Sequence, residues 1–271
     1  MDVSVENVTQ AWPGRGDEPI VALENFSHRF ASRRFSCLLG PSGCGKSTLV
    51  QVIGGLEVAT EGNVRIIEPT RPNVVRPLGA DSVMVWQTLN LFPWRNVIDN
   101  VTFGLEMQGV SKAQRYERGR LLITSVGLAG FEQHLPGQLS GGMRQRVALA
   151  RALIMERPIM LMDEPFGALD AQTKIVMQEE LLRVFDQTQK TIIFVTHAIE
   201  EAILLADEII VMTARPGRIK EVLQVDLPRP RSLEMVNSKA FGALFDRAFH
   251  LIREEVMKSM AQQAMALEGS R

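Results

Sequence analysis

Apolar and polar positions alternate along residues 1–30, interrupted at Pro13-Gly14-Arg15-Gly16, which predicts strand, turn, strand. Phe35-Ser36-Cys37-Leu38-Leu39 is a short apolar run closed by Gly40, the pattern of a buried strand. From Lys46 the pattern changes to a helical one through Leu49, Val50, Val52 and Ile53, stopped near Gly54-Gly55. Val83-Met84-Val85-Trp86 predicts another strand, ending at Gln87. Residues 88–157 are dominated by helical patterns, broken at Gly109, Gly127, Gly130 and Pro136-Gly137, and so form a helical insertion. Then Ile159-Met160-Leu161-Met162, Thr191–Val195 and Ile209–Met212 are apolar on both faces, as central parallel strands are. Between the last two, Ile199, Ala202, Ile203 and Ala206 form a helical stripe. Strands alternating with helices predict an α/β fold: a mostly parallel sheet flanked by helices, with antiparallel strands at the N-terminus. After Leu227-Pro228-Arg229-Pro230-Arg231 the composition shifts. Phe241, Phe245, Ala248, Ile252 and Val256 then fall on one face of a helix, expected to pack on the domain or to serve as a docking tail.

Composition narrows this picture. The 271 residues fit one large domain with a modest appendage, and 45% hydrophobic content supplies a substantial core. A net charge of −1 argues against nucleic acid as a partner. Cys37 and Cys44 form neither a disulfide framework nor a zinc spacing, which fits a reducing compartment. Met1–Glu6 has no basic region or apolar run, so no signal peptide is expected. No apolar stretch has the length of a membrane span, so attachment to a membrane would need other chains.

The chemistry concentrates at strand ends. Gly40-Pro41-Ser42-Gly43-Cys44-Gly45-Lys46-Ser47 matches G-x-x-x-x-G-K-[ST] between an apolar strand and a helix. In that setting backbone N–H groups and the helix's positive end cradle phosphates, Lys46 reaches the outer phosphates and Ser47 ligates Mg²⁺. Asp163 and Glu164 follow a buried parallel strand, at the sheet edge where ligands bind. Asp163 suits the metal, and Glu164, pointing differently, suits polarisation of an attacking water. His197 and Gln87 also end strands at that edge. His197 can reach a γ-phosphate, and Gln87 can bind Mg²⁺ or position the water.

A second anion site is expected far downstream. Ser140-Gly141-Gly142 opens a helix running to about Leu153, with Ser140 as N-cap and the glycines exposing N–H groups at the positive end.

These segments, in this order, closely resemble the ATP-binding subunits of ABC transporters over roughly residues 3–225. The resemblance identifies residues 40–47 as Walker A, Gln87 as the Q-loop glutamine and 139–143 as the signature motif. Walker B ends at Asp163 and Glu164, Ala168-Leu169-Asp170 is the D-loop and His197 the switch histidine. It implies a P-loop NTPase core over 1–225, with a helical subdomain at about 88–157, and a helical extension over 226–271. It implies ATP and Mg²⁺ as cofactors. Thr48, Gln145 and Asp170 join Gly40–Ser47 and Ser140–Gly142 as nucleotide contacts, with Ser47, Gln87 and Asp163 on the metal. An aromatic residue stacks on adenine in this family. Trp12 matches its position by spacing, and Phe30 is a poorer match.

Finer similarity points to importers for nitrate, sulfonate and taurine. It rests on Phe92–Val97 through Asn100–Leu105, on Thr213–Ile219 and on Leu227–Arg231. Such a protein pairs head to tail with a second copy and works with two transmembrane permease subunits and, indirectly, a solute-binding protein. It lies at the cytoplasmic face of the membrane. Phe92, Pro93 and Trp94 would then form an exposed apolar docking patch, where otherwise Trp94 would be core. The rivals are a non-transport ABC-type ATPase of DNA repair or the ribosome and a simple P-loop kinase. The former usually carry coiled-coil insertions, zinc cysteines or fused nucleotide domains, none of which is evident, and the Ser-Gly-Gly helix and His197 argue against the latter. Two departures from the family stand out: Ala31-Ser32-Arg33-Arg34 in place of a Pro-Gly-Glu-type turn, and Ala198 where an acidic residue is common. Cys44, close to a helix N-terminus, is expected to be either a reactive thiol that ATP protects or an inert one.

Overall fold

A computed structural model describes residues 1–14, 19–167 and 169–268, with backbone only for 72–75 and 263–268. Arg15 and Gly16 of the expected first turn and Ala168 of the D-loop lie outside the described residues.

Six strands form the main sheet in the order β10-β9-β3-β8-β7-β6. These are β3 (Phe35–Leu39), β6 (Ser82–Val85), β7 (Ile159–Asp163), β8 (Thr191–Thr196), β9 (Glu208–Met212) and β10 (Ile219–Gln224). The first five pair in parallel and β10 closes one edge antiparallel to β9. Side chains on the central strands alternate between two apolar layers, as the period of two requires. Phe35, Cys37, Leu39, Met160, Met162, Ile192 and Phe194 enter one cluster with helices α5 (Ala171–Thr188) and α6 (Ile199–Leu205). Leu38, Ile159, Leu161, Ile193 and Val195 enter the other, with helix α1 (Lys46–Ile53). Burial on both faces is why these strands read as unbroken apolar runs.

The second cluster is roofed by an antiparallel sheet of order β2-β1-β4-β5, from β1 (Asp2–Trp12), β2 (Ile20–Phe30), β4 (Glu61–Glu68) and β5 (Arg71–Arg76). Val3, Val5, Val8, Leu23, Phe26 and Phe30 bury their side chains against it. Helices α2 (Val97–Met107), α3 (Lys112–Ser125) and α4 (Gly141–Leu153) share a third cluster of their own around Val101, Ile123 and Val147.

The last helix, α7 (Lys239–Glu268), packs on the first cluster through Phe241 and Ala248, with Phe245 and Ile252 partly covered. Its expected stripe fails at one position. Val256 is exposed and the neighbouring Glu255 is 1% exposed, because that carboxylate finds two lysines and a backbone N–H inside.

Candidate functional site

The strand ends converge on one cavity of about 520 Å³, lined by Trp12, Ile20, Ala22, Ser42, Gly43, Gly45, Lys46, Ser47, Thr48, Gln87, Glu164 and Arg215. Its floor is the loop between β3 and α1. Two glycines there hold left-handed backbone, Gly43 at φ 77° and Gly45 at φ 98°. A Cβ on Gly45 would sit 2.7 Å from the Ala22 carbonyl oxygen, so only glycine lets this loop press against β2. Lys46 is 4% exposed, and its ammonium donates to the carbonyls of Gly40 (2.8 Å) and Pro41 (2.9 Å). A buried ammonium held by neutral carbonyls keeps its charge for an anion that enters the cavity. Gly40 and Pro41 are themselves buried, so their part is to hold Lys46 through these carbonyls.

Ser47 Oγ donates to Asp163 Oδ1 at 2.9 Å, joining the start of α1 to the end of β7. Burial raises the Asp163 carboxyl above its ordinary range, and the Ser47 hydroxyl partly opposes this. Ser47 and Gln87 line the cavity and Asp163 lies behind Ser47, and together they offer hard oxygen donors, the chemistry that suits Mg²⁺. Among the described residues, no cluster of three His, Cys, Asp or Glu side chains forms a cage for a softer ion.

Glu164 lies one residue beyond, at φ 44°. A glutamate in left-handed backbone is strained. Its carboxylate lines the cavity and its Oε2 lies 3.2 Å from His197 Nδ1. The end of β7 and the end of β8 are thus coupled through two side chains. Beyond His197, Ala198 caps α6 without a side-chain acceptor, and the Thr196 hydroxyl accepts the Ala198 N–H instead (3.0 Å). Trp12 is partly exposed at the cavity wall, whereas Phe30 is fully buried.

Ser140, Gly141 and Gly142 do not line this cavity. Ser140 caps α4, accepting the Met143 N–H at 3.3 Å. Gly142 has a packing reason, because a Cβ there would lie 2.7 Å from Thr173 Cγ2. Gly141 has none inside the chain, since open space surrounds its Cβ position. Asp170 is exposed and caps α5, accepting N–H bonds from Gln172 and Thr173.

One expectation needs correction, and for Cys44 the structure favours the inert alternative. Gln145 was expected to contact nucleotide, but it is 3% exposed and its amide donates to the Pro165 carbonyl. It ties α4 to the loop after β7. Cys44 does not have the environment of a reactive thiol. It is 1% exposed, and burial pushes its thiol up against the opposing effect of Lys46. A helix terminus activates a cysteine only where the thiolate is solvated. Cys37 is raised still further by burial. Native protein treated with a chromogenic disulfide reagent should therefore release almost no thiol until denatured, and ATPase activity should survive the treatment. Rapid labelling of Cys44 in the folded protein would contradict its burial.

Sequence reasoning missed Arg215 and the wall residues Ile20 and Ala22. Arg215 stands in the turn between β9 and β10, and its Nε donates to the Gly43 carbonyl at 3.2 Å. The Phe92 segment resolves otherwise than core packing: Trp94 is 73% exposed beside a half-buried Phe92, ring centroids 5.6 Å apart.

Comparison with known proteins agrees with this geometry. The model of the family described as ABC transporter matches residues 23–167. An uncharacterized ABC transporter ATP-binding protein of Methanocaldococcus jannaschii is 45% identical over 258 residues, 95% of this chain and 94% of that one. A nitrate import ATP-binding protein of Synechocystis is 41% identical, covering 84% of each chain. A taurine import ATP-binding protein of Yersinia pestis is 41% identical, covering 96% of this chain and 99% of its own. A dimeric ATP-binding cassette solved in a post-hydrolysis state with ADP and Pi superposes at TM-score 0.73 and 31% identity, over 83% of this chain and all of that one.

Proposed function

The chain belongs to the ABC transporter family as an ATP-binding subunit whose ATPase is coupled to transport, and from that premise we propose that it powers a small-solute importer. Its solute is of the nitrate, sulfonate or taurine kind. Two copies face each other head to tail and act on two membrane-spanning permease subunits at the cytoplasmic face. Residues 1–225 are the ATPase unit, 88–157 its inserted helical part and 226–271 an extension.

One observation carries the assembly. The cavity gathers Trp12, Lys46, Ser47, Gln87 and Glu164, with Asp163 and His197 bonded behind Ser47 and Glu164, whereas the second anion site lies outside it with Gly141 in open space. A head-to-tail partner brings Ser140-Gly141-Gly142 of one copy to the phosphates held by the other. The dimeric cassette bound to ADP and Pi supports this arrangement.

Within each site, Trp12 stacks on the base while the loop N–H groups and Lys46 hold the phosphates. Ser47 and Asp163, with Gln87, would hold a Mg²⁺ ion, which when bound would supply charge neutralisation on the phosphates. Glu164 takes a proton from the attacking water, and His197 orients Glu164 and contacts the γ-phosphate. Among the described residues no helix is long and apolar enough to cross a membrane, so transport requires the permease chains. Trp94 and Phe92 offer those chains an apolar surface.

The test is reconstitution. The protein and its permease in proteoliposomes should show ATPase activity that rises with a loaded solute-binding protein. Nitrate, an alkanesulfonate and taurine are the solutes to try. A permease that co-purifies but responds to none of the three sinks the solute class. A failure to co-purify with any multi-span membrane protein sinks the importer reading.

A further inference from the structure

The turn between β9 and β10 carries an arginine into the nucleotide cavity, and the C-terminal helix holds that turn in place. Arg215 lines the cavity beside Ser42, Gly43 and Lys46. Its Nε donates to the Gly43 carbonyl, on the loop whose N–H groups cradle phosphate. A guanidinium carries five N–H donors in a rigid fork, so this bond leaves the terminal nitrogens free to face the cavity. Among the described residues no carboxylate forms an ion pair with Arg215. Its turn neighbour Arg218, by contrast, pairs with Glu24 at 2.6 Å.

The turn is fixed on three sides. Gly217 donates to the Ala22 carbonyl and accepts from the Glu24 N–H, which stitches it to β2. A Cβ at Gly217 would lie 2.0 Å from the Cys44 carbonyl oxygen, so the turn lies directly on the phosphate loop. From the other side, α7 contributes two bonds. Glu255 Oε2 accepts the Ala214 N–H at 2.9 Å, and Gln262 donates to the Arg215 carbonyl at 3.1 Å. Glu255 is buried, and its other oxygen accepts from Lys220 (2.9 Å) and Lys258 (2.8 Å). Burial alone would raise this carboxyl, but the bonds from Lys258, Ala214 and Lys220 reverse the effect and hold it at about 2. The clamp is therefore charged at any working pH.

We propose that Arg215 is a phosphate-contacting residue of the nucleotide site, and that Glu255 of the C-terminal helix is the residue that positions it. The assignment rests on the reading of this cavity as the ATP site. It gives residues beyond 226 a task in binding: the helix sets the placement of a cation beside the phosphate loop. Its partner is the polyphosphate of a nucleotide, not the base, because its anchor is Gly43 on the loop rather than the wall at Trp12.

The experiment is a titration of full-length protein with ATP, ADP and adenosine, followed by Trp fluorescence, on wild type, Arg215→Ala, Arg215→Lys, Glu255→Gln and Gln262→Ala. Arg215→Ala should weaken ATP about tenfold, the usual scale of one charge-assisted contact. Adenosine binding should not change, and Arg215→Lys should fall between. Glu255→Gln should weaken ATP in the wild-type background but add little on top of Arg215→Ala, as coupled residues do. Gln262→Ala serves the same cycle where Glu255→Gln folds poorly. Wild-type ATP affinity in Arg215→Ala, or an equal loss for adenosine, overturns the phosphate contact. Full additivity with Arg215→Ala reduces Glu255 and α7 to a structural role and overturns the positioning. Lys46→Ala is the control. If it leaves ATP binding unchanged, the ATP-site reading fails, and this proposal with it.

Discussion

Glu164→Gln is expected to cut steady-state ATP hydrolysis by roughly 10²- to 10⁴-fold, the usual effect of removing a general base, while ATP still binds. The substitution keeps the size and the hydrogen-bonding capacity of the side chain and removes only its ability to take a proton. Binding should survive because the phosphate contacts come from the loop at 40–48 and from Lys46, which Glu164 does not touch. The position also bears backbone strain, at φ 44°, of the kind tolerated where function requires it. With hydrolysis blocked and binding intact, the variant should accumulate as an ATP-bound closed dimer, visible as an ATP-dependent shift in size-exclusion chromatography. His197→Ala should slow turnover in the same direction, because His197 lies 3.2 Å from the Glu164 carboxylate. A Glu164→Gln protein that turns over ATP at the normal rate removes Glu164 from the proton-transfer role and leaves Gln87 as the group to test.

The parts of this site readable in the sequence are those whose chemistry is local. A strand, a glycine loop and a helix follow one another within residues 35–53, and the loop's geometry depends on its own glycines. Strands β7 and β8 were legible because burial on both faces leaves apolar runs, and the site residues sit at their ends. What was not legible depends on partners distant in the chain. Glu255 reads as the polar neighbour of an apolar stripe, and only the arrival of Lys220 and Ala214 reverses which of Glu255 and Val256 is buried. Cys44 occupies a variable position of the phosphate loop. Its thiol is buried in the apolar cluster beneath the antiparallel sheet, with Sγ against Gly40, a packing that no local pattern announces. Gln145 sits among polar helix residues yet is taken inside by the Pro165 carbonyl. The strands at 61–68 and 71–76 carry mixed, charged sequences, and pairing makes them strands, the first with β1 and the second with the first.

Ser140→Asp and Lys46→Ala should each abolish hydrolysis alone and recover it when mixed, the largest qualitative effect expected of this protein. Aspartate at position 140 remains a good N-cap for α4, so the helix start survives. Its negative charge, however, repels a phosphate brought to that helix end. Because Ser140 does not line its own chain's cavity, Ser140→Asp should bind ATP with near-normal affinity and still fail to hydrolyse it. Lys46→Ala removes the buried cation at the phosphates and should bind poorly or turn over nothing. In a head-to-tail dimer each site combines the phosphate loop of one copy with Ser140 of the other. A mixed dimer then holds one intact site, made from the loop of the Ser140→Asp chain and the unaltered Ser140 of the Lys46→Ala chain. Its other site carries both lesions. If instead both segments served a nucleotide held within one chain, mixing would restore nothing, since every chain would carry its own defect. ATPase recovery on mixing, measured against each variant alone at equal total protein, separates the two geometries. Absence of both recovery and ATP-driven association between the two variants would confine Ser140 to its own chain and remove the head-to-tail site.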